Sequence, residues 1–421
     1  MKRIILIFTV VISTLFAGCG LNSSSNGELI GVQGRQTFSQ EIPYGMVYVP
    51  SGTFHMGQND QDVAYAQVAR NRQVTISAFY MDDTEITNNE YRQFIFYVRD
   101  SIAHTLIGDD HIVVADDGSE SIDWKKKIKY GDPEVQELLA ELYLPEDERV
   151  FGKKELDTKK LKYSYEWFDY KQAARRSNKD QPRTSFIKKD EVDIYPDTLT
   201  WIRDFAYSMN EPMVEKYFWH PAYDDYPLVG IDWRQARVFT GWRSEMFDSY
   251  RKSKGQAPAN RFRLPSEAEW EYASRGGRIG ADYPWGGPYI RNSKGCLLAN
   301  FKPMRGDYIS DGGFYTVKVT SYFPNDYGLY NMAGNVAEWT ASAYDESGYS
   351  FVHDMNPNFE IEVKDEDPEN MKRKVIRGGS WKDIGYFLQN GTRTYEYMDT
   401  AKAFVGFRCV MSYMGRSIED E

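Results

Sequence analysis

The chain has 421 residues, 15% of them aromatic, with ten Trp and 31 Tyr. That many rings can bury enough apolar surface to offset chain entropy, so global disorder is excluded. A net charge of −11 disfavours nonspecific nucleic-acid binding, which needs clustered cations; the length allows one large domain or two ordinary ones.

The first residues read as a targeting segment. Lys2 and Arg3 precede an apolar run from Ile4 to Phe16, and Leu15-Phe16-Ala17-Gly18-Cys19 closes it. A plain secretory signal would end in small residues without needing Cys. The run is also shorter than the ~20 residues of a spanning helix. The pattern is that of a lipobox, so residues 1–18 are expected to be a signal peptide and Cys19 a lipidated N-terminus. Residues 19–43, rich in Ser, Asn and Gly, are expected to form a flexible tether. No Asp follows Cys19 as a retention signal and no acidic cluster follows it as an export signal. The expected location is therefore the periplasmic face of an outer membrane, with the protein lipid-anchored. Cys296 and Cys409 are the other cysteines. They allow one disulfide at most, and a buried free Cys409 is preferred over a Cys296–Cys409 bridge.

From Tyr44 to Met56, alternating apolar residues broken by Pro50-Ser51-Gly52 suggest a hairpin. Gln73–Met81 is a second strand candidate. Thr87 and Glu90 can form a capping box, with a helix running to about Arg99. Residues 100–225 break the rhythm. They hold charge runs such as Lys125-Lys126-Lys127, and also Trp124, Trp167, Trp201, Tyr217 and Trp219. A structureless loop of that length is improbable, so a folded insertion packing on the main domain or on a partner is expected. Asp232 with Gln235 starts a helix reaching about Ser253, and Ser266 with Glu269 caps another. Tyr283-Pro284-Trp285-Gly286-Gly287 is a tight turn. Val375–Trp381 and Val405–Val410 read as buried strands, and residues 413–421 as an acidic tail.

The densest stretch is Asn325–Thr340, reading Asn-Asp-Tyr-Gly-Leu-Tyr-Asn-Met-Ala-Gly-Asn-Val-Ala-Glu-Trp-Thr. Gly328 and Gly334 supply backbone freedom. Asn331, Asn335 and Glu338 supply oxygens of the kind that suit a hard cation such as calcium. A glycine-rich turn whose Asn side chains cap local backbone explains the same spacing.

Taken together, several stretches resemble the formylglycine-generating enzyme (sulfatase-modifying-factor) family. They are Val49–Gly57, Glu85–Asn88, Arg263–Glu271, Tyr283–Gly286, Gly328–Asn335, Arg377–Trp381 and Gly406–Arg408, in family order. The resemblance implies an α+β, loop-rich domain related to C-type lectin-like folds, over 44–412, with a large insertion at about 100–225. It implies two calcium sites. One would use the side chains of Asn331 and Glu338 with the carbonyls of Gly334 and Val336. The other would use the side chains of Asn300 and Asp311 with the carbonyls of Phe301 and Gly313. The family's copper cysteines fall on Asp383 and Leu388, which cannot replace thiolates for Cu(I), so neither copper nor catalysis is expected. The family's disulfide partner of Cys409 falls on Thr240.

Within the family the pattern is most similar to lipoproteins of gliding motility and type IX secretion. That implies a structural role and a ring-like complex with a GldN-like (PorN-like) periplasmic partner. It also implies homo-oligomerisation within the complex and no nucleic acid. A glycan- or peptidoglycan-binding module and an active cysteine-modifying oxidase are the alternatives.

Overall fold

A computed structural model of the chain describes residues 41–58, 68–116, 118, 120–310 and 312–415. Cys19, Asp311 and the tail beyond residue 415 lie outside the described residues.

The strands run in chain order as β1 (Met46–Val49), β2 (Gly52–Met56), β3 (Arg72–Ile76), β4 (Phe79–Asp82), β5 (Ile112–Val114), β6 (Glu120–Ile122), β7 (Lys162–Phe168), β8 (Ile187–Asp193), β9 (Phe262–Arg263), β10 (Ala337–Ala343), β11 (Arg373–Arg377), β12 (Thr394–Tyr397), β13 (Val405–Gly406) and β14 (Val410–Ser412). The helices that position the core are α1 (Asn88–Ile107), α2 (Thr200–Asp204), α3 (Trp233–Ser253) and α4 (Glu267–Arg275). One four-stranded sheet has the order β1-β4-β14-β9 and another the order β12-β11-β10-β13. Much of the chain between these elements is turns and 3-10 segments. The fold is thus mixed helix and sheet, and loop-rich.

The expected hairpin over 44–56 is not one. β1 pairs with β4 while β2 pairs with β3. Pro50 has no N–H to give to a ladder, and the chain changes sheets there. The strand expected over 73–81 is likewise two strands, split at Ser77-Ala78, where Ser77 N–H donates to Asn356.

The three capping boxes form as expected, at Thr87/Glu90, Asp232/Gln235 and Ser266/Glu269. α1 does run two turns past Arg99, to Ile107, because Gly108 with φ 65° supplies the stop. Gly286 N–H donates to the Tyr283 carbonyl, closing the predicted turn.

Residues 100–225 are built into the same core. Leu161, Tyr165, Ile194 and Phe218 pack in one cluster with Tyr91, Phe94 and Phe239, while Trp201, Met213 and Tyr217 pack with Trp381. Tyr91 Oη donates to the Ile194 carbonyl, and Arg92 is ion-paired with Asp224. Among the described residues no helix is long and apolar enough to cross a membrane.

Candidate functional site

The loop before β10 folds on left-handed backbone. Asn331 has φ 50° and Asn335 has φ 64°, a region Asn tolerates better than most residues. Gly334 has φ 78°, and a Cβ there would lie 2.4 Å from the Asn300 carbonyl oxygen. The two asparagines aim inward. Asn331 Nδ2 donates to Glu85 Oε2 (3.0 Å) and to the Val319 carbonyl (2.9 Å). Asn335 Nδ2 donates to Glu85 Oε1 (2.9 Å), and its Oδ1 accepts from Val317 N–H (2.9 Å).

Glu338 is fully buried at the start of β10. Arg408 Nη2 donates to its Oε1 (2.6 Å) and Arg408 Nε to its Oε2 (2.7 Å). Trp270 Nε1 also donates to Oε2 (2.7 Å). The Arg408 guanidinium further donates to the carbonyls of Asp82, Asp83 and Tyr330. Burial pushes the Glu85 carboxyl up to about 7, against the nearby Arg408 charge that lowers it. Glu85, Asn331, Asn335, Glu338 and Arg408 therefore form one buried polar network that ties three distant stretches together.

The two calcium sets fit differently. In the Glu338 set, the carboxylate already holds a bidentate guanidinium and an indole, and the Asn331 amide nitrogen faces another carboxylate. These are the contacts of a charge-balanced site without an added cation. In the Asn300 set, Asn300 is fully buried and its Oδ1 has no hydrogen-bond partner among the described residues, while its Nδ2 donates to the Tyr315 carbonyl (2.8 Å). An orphaned buried amide oxygen suits a cation ligand. Phe301 beside it is buried in an apolar cluster with Leu297 and Leu388, and Gly313 follows Asp311 in the adjacent loop. No group of three or more His, Cys, Asp or Glu placed to hold a metal occurs among the described residues.

Asp383 and Leu388, the positions expected to match the family's copper cysteines, hold the local structure together. Asp383 Oδ2 accepts from Ser380 N–H (3.0 Å) and Ser380 Oγ (2.6 Å), closing the turn after Gly378 and Gly379. Both glycines have positive φ, 91° and 68°. Leu388 is fully buried, and its Cδ1 would sit 3.1 Å from a Cβ on Gly379. The aromatic of the same motif, Trp381, lies under Trp201, Phe205 and Tyr315. Thus residues 200–205 pack on the aromatic of that motif. Cys296 is exposed and Cys409 buried, and both are free. Burial beside Asp82 holds the Cys409 thiol well above its usual range.

A second buried ionic network lies on α4. Arg393 binds Glu267 through Nε (2.8 Å) and Nη2 (2.9 Å), Arg275 binds Glu271 (2.7 Å), and Arg377 joins Glu271. Sequence reasoning quoted Glu85, Glu267, Glu271, Arg377 and Arg408 only as motif letters. The signal that marks them is a charge inside an apolar stretch, as in Val405-Gly-Phe-Arg408-Cys-Val410.

A family model for the sulfatase-modifying factor enzyme 1-like domain matches residues 35–413. The chain belongs to the sulfatase-modifying-factor family. Among curated relatives of that family, inactive C-alpha-formylglycine-generating enzyme 2 of Bos taurus is 34% identical over 192 residues, covering 44% of this chain and 50% of its own. Formylglycine-generating enzyme of Bos taurus is 24% identical over 380 residues, covering 88% of this chain and 76% of its own. The Streptomyces coelicolor formylglycine-generating enzyme is 29% identical over 189 residues, 44% of this chain and 52% of its own. The chain thus spans about half the length of the inactive relatives it matches. The solved structure of PvdO from Pseudomonas aeruginosa aligns over 87% of this chain and 94% of its own, with TM-score 0.45 and 19% identity. By the names they carry, sulfatase-modifying-factor proteins include both an active and an inactive form.

Proposed function

We propose that this protein is a non-catalytic, lipid-anchored structural component of the type IX secretion and gliding machinery, of the GldK (PorK) kind, with the sister GldJ as the nearest alternative. The observation that carries the non-catalytic part is the use made of residues 383 and 388. Asp383 is consumed in closing a turn and Leu388 in filling the core. Cys409 packs in a different cluster from Leu388, Cys296 is exposed, and a Cu(I) site needs soft ligands. What remains is a rigid domain whose buried ionic networks fix its loops, suited to assembly rather than turnover.

In this reading Cys19 carries the acyl chains and holds the domain on the periplasmic face of the outer membrane. A GldN-like periplasmic protein is the partner in a ring-like complex. Exposed rings at Trp124, Tyr170 and Tyr207 are the anchors offered to it, since aromatics dominate such interfaces. Calcium would be held by Asn300, whose Oδ1 has no partner among the described residues, with Asp311 and the carbonyls of Phe301 and Gly313. It would contribute rigidity and no chemistry.

Three measurements test the proposal. Purified protein loaded with copper should convert no cysteine to formylglycine; measurable turnover would restore the oxidase reading. Purification from the native envelope should recover a GldN-like protein, and substituting Ser at Tyr170 and Tyr207 should weaken that recovery. Copurification with peptidoglycan fragments instead would favour the glycan-binding alternative. Calcium should raise the melting temperature, because a ligand of the folded state stabilises it, and Asn300→Ala should abolish that rise.

A further inference from the structure

The described chain begins at Glu41, against the C-terminal half of α3. Gln256 Nε2 donates to Glu41 Oε1 (3.4 Å), and Arg243 Nη2 donates to the Tyr44 carbonyl (3.3 Å). Residues 41–44 therefore run alongside α3 before β1 enters its sheet. The apolar side chains around this point are exposed. Tyr44 is 99% exposed, Ile42 59%, Tyr250 53%, Met414 50% and Tyr48 42%. They belong to one face. The Tyr48 ring lies edge-on to Tyr413 (5.2 Å), Met414 follows Tyr413, and Asn260 in the connection after α3 donates to the Ser412 carbonyl. Lys252 and Lys254 are exposed at the end of α3, with Lys254 Nζ 5.8 Å from the Tyr250 ring centroid. The acidic groups on these stretches are Glu41, Glu245 and Asp248, with Glu245 held by Tyr163 and Arg261, and the sequence after Met414 ends in Glu419, Asp420 and Glu421.

We infer that this Tyr- and Lys-bearing face, formed by residues 41–48, the end of α3 and residues 413–414, rests on the phospholipid surface that holds the acylated N-terminus. The inference builds on the proposed anchor at Cys19. The described chain begins on this face at Glu41, 22 positions after Cys19, so an anchor at residue 19 is joined to the domain here. The composition suits the location. Tyrosine, with an apolar ring and a polar hydroxyl, is favoured at headgroup depth. Lysines extend their ammonium groups to phosphates while their stems lie along apolar surface. Neither a spanning helix nor a deep apolar wedge is required, because the acyl chains supply the affinity and this face supplies orientation.

Hydroxyl-radical footprinting of the acylated full-length protein on phosphatidylethanolamine–phosphatidylglycerol vesicles reads the face directly, since Tyr and Met side chains are the reporters. Oxidation of Tyr44, Tyr250 and Met414 is expected to fall about fivefold relative to the soluble Cys19→Ala protein. Tyr170 and Tyr207, exposed elsewhere at 75% and 68%, should stay unchanged. In anionic vesicles the double substitution Lys252→Glu, Lys254→Glu should reduce the protection while the protein still floats with the lipid. Protein that floats with vesicles yet shows no selective protection overturns the inference and leaves the anchor intact. Wild-type protein that carries no acyl chain and does not float overturns both. Protection that arises only when other envelope proteins are added reassigns the face to a protein partner.

Discussion

Glu338 and Arg408 form a fully buried pair joined by two short hydrogen bonds. Replacing either partner leaves an uncompensated charge in the core, and such losses cost about 3–5 kcal/mol. Glu338→Ala should therefore unfold in denaturant with a stability loss of about 3 kcal/mol or more, with or without calcium. A loss under about 1 kcal/mol, or a loss that calcium chelation reproduces in the wild type, would show that the pair is not the tie. Glu85 gives the pH signature of the same network. Its folded-state value of about 7 lies above the ordinary 4.5. The native state therefore holds a proton there that the unfolded chain has lost. That contribution is complete below about pH 4.5 and disappears as pH rises through about 7. Glu85→Gln should flatten the fall in melting temperature across that window, leaving the smaller fall due to Asp232, also raised by burial, to about 6. An unchanged pH profile in the variant would refute the assignment.

At the scale of elements, the capping boxes decide where helices start and a glycine decides where α1 stops. Thr87 Oγ1 accepts from Glu90 N–H (3.2 Å) while Glu90 returns a bond to Thr87 N–H (2.8 Å). Thr87→Ala should cost about 1 kcal/mol, measured by thermal unfolding. The effect should be larger than that of a substitution at exposed Gln93, in the same helix. Gly334 belongs to this scale too, because it sets the approach of the β10 loop to Asn300. A Cβ 2.4 Å from a backbone oxygen on a left-handed residue cannot be absorbed by side-chain motion. Gly334→Ala should destabilise by about 2 kcal/mol or more, and no change in melting temperature would contradict that geometry.

At the scale of the whole molecule, residues 100–225 are not a detachable module. They contribute Leu161, Ile194, Trp201, Tyr217 and Phe218 to clusters shared with α1, α3 and the Gly-Gly-Ser-Trp turn. Replacing 100–225 by a short linker should therefore leave the remainder unfolded, with its near-ultraviolet circular dichroism lost, rather than leave a folded calcium-binding core. A cooperative unfolding transition in the truncated chain would show the opposite. Interface tests belong on single exposed rings instead, which leave these clusters intact.

The family itself was legible without coordinates, because its motifs are local. Glycines that need positive φ and capping boxes are properties of short stretches, and short stretches carry their own signals. The ends of α3 and the caps of α1 and α4 followed from the same local rules. The partners of β1 and β2 did not, since pairing between separate strands depends on which faces bury against which. Nor could spacing show that Glu338 meets Arg408, 70 residues away, or that Asn331 turns its amide nitrogen to Glu85, 246 residues away. The sequence offered Asn331, Asn335 and Glu338 as oxygens free for a cation. Only tertiary packing decided that the Arg408 guanidinium binds Glu338, that the Glu85 carboxylate takes the amide nitrogens of Asn331 and Asn335, and that the Asn300 oxygen has no partner among the described residues. Burial makes every unpaired polar atom costly, so the core selects partners by proximity in space, which chain order does not encode.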